Sequence, residues 1–381
     1  MNATQKIVLA NRAEDAFSAR LIRWQRQHGR HDLPWQNTRD PYRVWLSEIM
    51  LQQTQVATVI PYYQRFLARF ATLQDLAESS VEDVMPLWSG LGYYARARNL
   101  HAAACAVMTK NGGNFPQAPE AIASLPGIGR STANAIAVVC FGARVPILDG
   151  NVKRVLCRAF GIEGVPGAAA LESRLWQHAE ELLPQRDVAT YIQAQMDLGA
   201  TLCTRSKPQC ARCPLQDICV AYASGRTADL PQKKLRRAIP ERHVTLLVLI
   251  DGQRVLLERR PSSGIWGGLL SLPELPAGAA VEAYIERAFG AQTALAAVSP
   301  SPTFSLPPFT HTFTHFRLHI TPLIRHVRMA PRAMENGLQW LTASTLSDAA
   351  VPTAVPTPVR RILNALNWPQ ETPAGAPQSG R

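Results

Sequence analysis

Four cysteines fall within one short run of this chain, Cys203-Thr-Arg-Ser-Lys-Pro-Gln-Cys210-Ala-Arg-Cys213-Pro-Leu-Gln-Asp-Ile-Cys219, at the spacing C-x6-C-x2-C-x5-C. A loop that must present four sulfurs to one centre has little conformational freedom left. Soft thiolates suit zinc or an iron–sulfur cluster. Structural zinc sites usually pair two short Cys-x2–4-Cys knuckles across a longer gap. This run has one tight pair, Cys210 and Cys213, flanked by two lone cysteines. That pattern favours a cubic cluster wrapped by one loop and leaves zinc as the alternative. Disulfides would serve little purpose in loops this small, since nothing marks the chain for an oxidising compartment.

The chain has 381 residues, so two domains are expected, because one core rarely grows past about 250–300 residues. Hydrophobic residues make up 46%, enough for packed cores. The N-terminus, Met-Asn-Ala-Thr-Gln-Lys-Ile-Val-Leu-Ala, lacks the basic-then-apolar pattern of a signal peptide. No apolar run approaches the ~18 residues of a membrane span. A soluble, cytoplasmic, monomeric protein without a membrane partner is therefore expected. Cys105, Cys140 and Cys157 lie in apolar surroundings and read as packed core thiols. The net charge of +12 points to a polyanionic partner, of which nucleic acid is the commonest; a generally basic surface is the plain alternative.

Residues 15–222 read as a run of short amphipathic helices. Apolar positions recur at helical spacing through Val44–Ile60, Asp75–Trp88, Ala95–Thr109, Ser131–Phe141 and Asn151–Phe160. Gly and Pro mark the joints, at Gly90, Gly92, Gly112-Gly113, Pro126-Gly127, Pro166-Gly167 and Pro184. The pattern predicts an all-α domain over 1–223 with the cysteine loop at its C-terminal edge. A polar, basic linker follows over 224–240, with the run Lys233-Lys234-Leu235-Arg236-Arg237. From His243 the period turns to β: His243–Ile250 reads as a strand, Asp251-Gly252 as a hairpin turn, and Arg254–Glu258 as its return. Strands are also expected at Thr312–Ile320 and Leu338–Leu341, with a helix at Val281–Ala288. The second domain is thus α+β over 241–367, and 368–381 reads as a disordered tail.

Several motifs carry chemistry. Leu125-Pro-Gly127-Ile-Gly129-Arg-Ser131 sits between two helical patterns. Its glycines would expose N–H groups at a helix start, a geometry that binds phosphate. This is the form of a helix-hairpin-helix DNA clamp. Pro146-Ile-Leu-Asp149-Gly-Asn151 places one acid just before a helix, either as an N-terminal cap or as an ion facing a reacting centre. Glu48, in Leu46-Ser-Glu48-Ile-Met-Leu51, is flanked by apolar residues. If buried, its pKa rises by desolvation and it can donate a proton near neutral pH; if exposed, it is a polar residue on an amphipathic helix. Gln52 shares its face at i+4.

Trp45-Leu-Ser-Glu48-Ile-Met-Leu-Gln52-Gln53-Thr-Gln-Val56 resembles the adenine DNA glycosylases of the MutY type. So do Gly90-Leu-Gly92-Tyr93-Tyr94-Ala-Arg-Ala-Arg-Asn99, the Leu125–Gly129 hairpin, Ile147-Leu-Asp149-Gly-Asn151-Val-Lys153-Arg154 and the cysteine loop. The resemblance runs in order from about residue 17 through 222, and more weakly to about 345. It implies a helix-hairpin-helix glycosylase domain followed by a MutT-like (Nudix-fold) domain. It also implies a [4Fe–4S] cluster held by Cys203, Cys210, Cys213 and Cys219. The implied partner is double-stranded DNA with adenine mispaired with 8-oxoguanine or guanine, which would also place the protein at the bacterial nucleoid.

Such an enzyme needs one neutral acid near the adenine and one ionised carboxylate near the sugar. The resemblance assigns these roles to Glu48 and Asp149, with Asn151 orienting the site. It gives Tyr93 as a wedge near the 8-oxoguanine and Gln53 as an intercalating side chain. Gln52, Leu33 and Trp35 match positions near the adenine pocket, plain core packing being the other reading of the last two. Leu125, Gly127 and Gly129 belong to the DNA clamp. Ser131 stands where related endonuclease III-like enzymes place a Schiff-base lysine; a hydroxyl cannot form an imine, so a monofunctional hydrolase is expected. Lys153 is the nearby amine. In the second domain, Val281–Phe289 lacks the acidic cluster of a MutT-type pyrophosphohydrolase, so recognition is expected there. Phe313, Thr314 and His315 match the family's Phe-Ser-His reader of 8-oxoguanine, with threonine for serine. The competing readings are an endonuclease III-like lyase and a non-catalytic iron–sulfur DNA-binding protein.

Overall fold

The computed structural model describes residues 17–233, 238–289, 293–294, 304–329, 337–347, 353–366 and 368. Residues 234–237 of the basic linker run, and the expected disordered tail from 369 onward, lie outside the described residues. The chain divides into two compact units, Met1–Glu78 with Asn99–Arg236, and Ser79–Arg98 with Arg237–Arg381.

Helix α1 covers 17–28. It is followed by α2 (Pro41–Leu51), α3 (Val56–Arg69), α4 (Leu73–Glu78), α5 (Val81–Trp88), α6 (Ala95–Asn111), α7 (Pro119–Ala123), α8 (Arg130–Phe141), α9 (Gly150–Ala159), α10 (Ala169–Glu181), α11 (Val188–Thr201) and α12 (Val220–Ala223). Local chemistry explains where they start. Asp40 caps α2 through the Tyr42 N–H, with Pro41 at the first helical position. Ser80 and Asp83 form a reciprocal capping box on α5.

Two expected helices are each split. Val44–Ile60 breaks between α2 and α3, where Gln53 turns left-handed at φ 57°. Asp75–Trp88 breaks between α4 and α5, where the Ser80 cap competes with helix continuation. In both cases the apolar periodicity of the sequence carries across the break.

The core of the first unit joins α1, α8, α9, α10 and α11 through Phe17, Leu21, Val138, Leu156, Leu175 and Ile192. Cys157 is buried within it, whereas Cys105 and Cys140 keep partial exposure and are not fully packed core thiols.

The second unit is built on a mixed sheet of order β10-β2-β1-β8-β6, with β3, β4 and β7 pairing onto β2, β1 and β8. Its strands are β1 (Glu241–Asp251), β2 (Arg254–Arg259), β3 (Leu270–Ser271), β4 (Glu274–Leu275), β6 (Phe304–Ser305), β7 (Phe309–Thr312), β8 (Arg317–His326) and β10 (Leu338–Thr342). β5 (Thr293–Ala294) and β9 (Arg328–Met329) form a separate two-stranded pair. β1 and β8 run parallel, from Glu241↔Arg317 to Ile250↔His326. The β1–β2 hairpin forms as expected, with Gly252 at φ 56° in its tight turn. The single strand expected at Thr312–Ile320 is instead the end of β7, a turn and the start of β8, the turn closed by the Phe313 N–H donating to the Phe316 carbonyl. Helices α13 (Val281–Phe289), α14 (Ala343–Ser347) and α15 (Thr357–Asn364) complete this unit. Ser79–Arg98 belongs to it as well: Ser89 Oγ donates to the Val355 carbonyl at 2.7 Å, and Arg98 Nη1 to that of Gly267 at 2.7 Å. No helix is long and apolar enough to cross a membrane among the described residues.

Ile285 of α13 is fully buried against Leu247, Leu249, Leu256 and Val327. Ile285→Ala is expected to destabilise this unit by about 2–5 kcal/mol, read as a lower urea midpoint.

Candidate active site and cysteine loop

The site is built on the N-terminus of α9. Asp149 is its N-cap, and its Oδ1 accepts from the Asn151 N–H at 2.9 Å and the Val152 N–H at 2.8 Å. Asn151 Nδ2 adds a bond to Oδ2 at 3.1 Å. Asp149 is thus both a cap and a largely covered carboxylate. The strand of chain before it is braced from α8. Ser131 Oγ accepts from the Leu148 N–H at 3.0 Å, and buried Asn134 Nδ2 donates to the Pro146 carbonyl at 2.6 Å. Ser131 therefore positions the Asp149 segment.

Glu48 lies in α2 between buried Ser47 and Ile49. Its carboxyl is pushed up to about 7, first by burial and then by the charge on Asp149. Asp149 is also raised by burial, but N–H donors from Val152 and Asn151, and the Arg154 guanidinium, oppose the shift. Asp149 collects hydrogen bonds that favour its charged form against its burial, whereas burial and the nearby Asp149 charge both favour the neutral form of Glu48.

Sequence reasoning assigned no role to Arg154 and Gly199. Arg154 Nη2 donates to Asn151 Oδ1 and to the Gly199 carbonyl, each at 2.8 Å, and its Nε donates to the Cys203 carbonyl at 2.7 Å. The start of α9 is thus tied to α11 and to the first cysteine. A Cβ on Gly199 would stand 2.5 Å from the Asn151 Cβ and 3.0 Å from its Cα, so only glycine permits this approach. An arginine one turn along from Asp149 was the available signal; the glycine gave none.

The remaining assigned residues fall in distinct settings. Leu33 and Trp35 are buried, and Trp35 packs edge-on against Tyr63 at 5.3 Å. Fully buried Asp197 holds their segment by accepting from the Arg30 N–H at 3.0 Å and Nε at 2.8 Å. Gln52 ends α2, and Gln53 is exposed and left-handed. Leu125 is buried; Gly127, at φ 76°, sits where a Cβ would meet the Asn99 side chain at 2.7 Å; Gly129 starts α8. Lys153 Nζ is paired with Glu172 at 2.6 Å. In the second unit, Tyr93 is 42% exposed and left-handed at φ 49°. Thr314 and His315 are exposed on the β7–β8 turn, while Phe313 stacks on Phe316 at 4.5 Å.

Cys203, Cys210, Cys213 and Cys219 line one pocket together with Leu202, Pro208 and Arg158. Among the described residues, no three His, Cys, Asp or Glu side chains are arranged to hold one metal ion. A tetrahedral zinc needs sulfurs drawn in to about 2.3 Å from a single point. Thiols spread around a cavity suit a cluster that takes one thiolate per iron. Buried Arg158 supports the loop, its Nη1 donating to the Thr204 carbonyl at 2.7 Å and to Cys203 Sγ at 3.4 Å.

Three family models match the chain. They are an HhH-GPD superfamily base excision DNA repair protein over residues 46–181, an iron–sulfur binding domain of endonuclease III over 203–219, and a NUDIX domain over 245–365. The adenine DNA glycosylase of Buchnera aphidicola subsp. Acyrthosiphon pisum (strain APS) is 36% identical over 350 residues, covering 91% of this chain and 96% of that one. The Mus musculus adenine DNA glycosylase is 36% identical over 396 residues, covering 89% and 76%. Among solved structures, a thermostable thymine-DNA glycosylase superposes with a TM-score of 0.51 at 28% identity, covering 56% of this chain and 98% of that one.

The Glu48 carboxyl titrates near 7 in the folded protein against an ordinary 4.5. A raised folded value means that its contribution to stability is full below about pH 4.5 and is lost as pH rises through 7. Glu48→Gln is expected to raise the unfolding free energy at pH 8 by up to about 3 kcal/mol, less whatever partial solvation of the side chain relieves. At pH 4 it should change little. Urea titrations at the two pH values measure the difference.

Proposed function

The chain belongs to the adenine DNA glycosylases, and from that premise we propose that it releases adenine mispaired with 8-oxoguanine or guanine, using Glu48 and Asp149 and leaving the strand uncut. As a member of that family it is a base-excision repair enzyme that acts on DNA and carries a [4Fe–4S] cluster. The observation that carries the finer reading is the carboxyl pair: one acid near pKa 7 beside a second that collects N–H donors.

Adenine leaves poorly as an anion. Glu48, protonated at neutral pH, donates to a ring nitrogen, and the base departs neutral. Departure leaves an oxocarbenium-like sugar, whose positive charge Asp149 faces as a carboxylate; water then adds to the anomeric carbon and releases a proton to solvent, which completes the hydrolysis. Its N–H donors hold the Asp149 carboxylate in place, so no reorganisation is needed as charge develops. Asn151 and Arg154 keep Asp149 oriented. Before this, the adenine must leave the base stack, at a cost of a few kcal/mol. Gln53, exposed and left-handed, suits insertion into the opened base stack, and Tyr93, also exposed and left-handed, suits a wedge near the 8-oxoguanine. Leu33 and Trp35 sit on a segment clamped by Asp197 and suit the wall of the adenine pocket.

The N–H groups at Gly127 and Gly129 and the start of α8 suit a DNA phosphate. Cys203, Cys210, Cys213 and Cys219 would hold the cluster. When bound, it cross-links a loop whose Arg205, Lys207 and Arg212 are exposed and suit further phosphates in a salt-sensitive contact. Ser131 cannot form an imine, and Lys153 is engaged by Glu172. Both favour simple hydrolysis. The Thr314 hydroxyl, next to the His315 ring, is the group offered to 8-oxoguanine.

The test uses duplexes with A opposite 8-oxoguanine, A opposite G, and thymine glycol opposite A. Breaks at the adenine only after alkali are expected; breaks without alkali, or at thymine glycol, contradict the reading. The single-turnover excision rate is expected to fall as pH rises above about 7, because Glu48 loses its proton. Glu48→Gln should slow excision at least about 100-fold, the usual weight of a general acid. Retention of full activity would remove Glu48 from its role.

A further inference from the structure

Tyr93 adopts a backbone conformation that non-glycine residues avoid, at φ 49°, in a turn with Gly90 at φ 101° and Gly92 at φ 73°. Its ring is nevertheless 42% exposed. Such a pose is strained and persists only where its surroundings enforce it. The enforcing group lies underneath. Arg96, two residues into α6, is a buried cation, 9% exposed. Its Nη2 donates to the carbonyls of Leu91 and Gly92, both at 3.3 Å. Its guanidinium carbon lies 5.5 Å from the centroid of the fully buried Trp88 ring and 5.5 Å from that of Tyr93. Its backbone N–H donates to the Tyr93 carbonyl at 2.8 Å. Burial lowers its pKa only to about 10, so it stays charged at neutral pH. A cation placed this way costs desolvation energy, and a turn that needed only to close would not require it.

We propose that Arg96 is a positioning residue for discrimination of the opposite base: by gripping the Leu91 and Gly92 carbonyls and lying against the rings of Trp88 and Tyr93, it fixes Tyr93 in the exposed pose from which the ring meets the base paired with the target adenine. This rests on the reading of Tyr93 as the wedge beside that base. The planar fork of arginine matters, since two carbonyls and two ring faces are engaged at once. A lysine keeps the charge but cannot reproduce that geometry. Arg96 lies buried beneath the turn, 9% exposed, so its loss is expected to bear on the choice of duplex and not on bond cleavage.

The experiment uses the full-length, cluster-loaded protein and measures single-turnover adenine excision from A:8-oxoguanine and A:G duplexes. Arg96→Lys is expected to lower the ratio of the two rates by about 3–30-fold, the range that a lost cation–ring contact supports. Tyr93→Ala should lower it comparably, and the double variant should fall no further than either alone. A purely structural role would slow both duplexes by the same factor and leave the ratio intact; that outcome overturns the proposal. Arg96→Gln, which keeps two N–H donors without the charge, serves if the lysine variant does not fold, with the same expectation. If Tyr93→Ala leaves the ratio unchanged, the reading of Tyr93 fails. If it lowers the ratio and the Arg96 variants do not, Tyr93 stands and the role of Arg96 is refuted.

Discussion

Helix α9 begins with a carboxylate that is both a cap and largely removed from water. As a cap, Asp149 accepts from the N–H groups of Asn151 and Val152 and stops the first turn from fraying. Burial raises its pKa, and the same N–H groups, with the positive end of the helix dipole, oppose that shift. Much else is arranged around that helix end. Ser131 and Asn134 hold the chain leading into it, Arg154 ties it to α11 and Cys203, and Gly199 lets α11 come close enough for the tie.

The asymmetry between the two acids follows from this. Glu48 sits in mid-helix, where every backbone N–H is already used, so nothing compensates its burial and it holds its proton to about pH 7. Asp149 sits at a helix start, where N–H groups are unsatisfied by geometry. Two residues of similar chemistry thus sit in opposite settings because one stands inside a helix and the other before one.

The cysteine loop and the carboxyl pair are linked but chemically separate. Arg154 reaches from Asn151 to the Cys203 carbonyl, and Arg158, one turn further along α9, reaches the Thr204 carbonyl and the Cys203 sulfur. A cluster that stiffens the loop therefore also steadies the helix that carries Asp149. Tyr93 and the β7–β8 turn show the same division of labour in the second unit: exposed side chains held by buried partners, Arg96 beneath the one and the Phe313–Phe316 stack beneath the other.

Spacing and patterning alone determined the four-cysteine centre, the helical first part, the β-rich second part, the hairpin of Gly127 and Gly129, and the acids to watch. Those are local properties, set by residue type and by period along the chain. Sequence could not place the helix breaks at Gln53 and Ser80, because the apolar period continues across them. Nor could it divide the Thr312–Ile320 stretch into a strand, a turn and a second strand, or attach Ser79–Arg98 to the C-terminal unit. Only the tertiary structure showed that both acids are buried and that Asp149 alone collects N–H donors at the start of α9, since burial depends on elements distant in sequence. Only it gave work to Gly199, Arg154 and Arg96, because a close approach or a buried cation has meaning only once the distant residue it meets is in place.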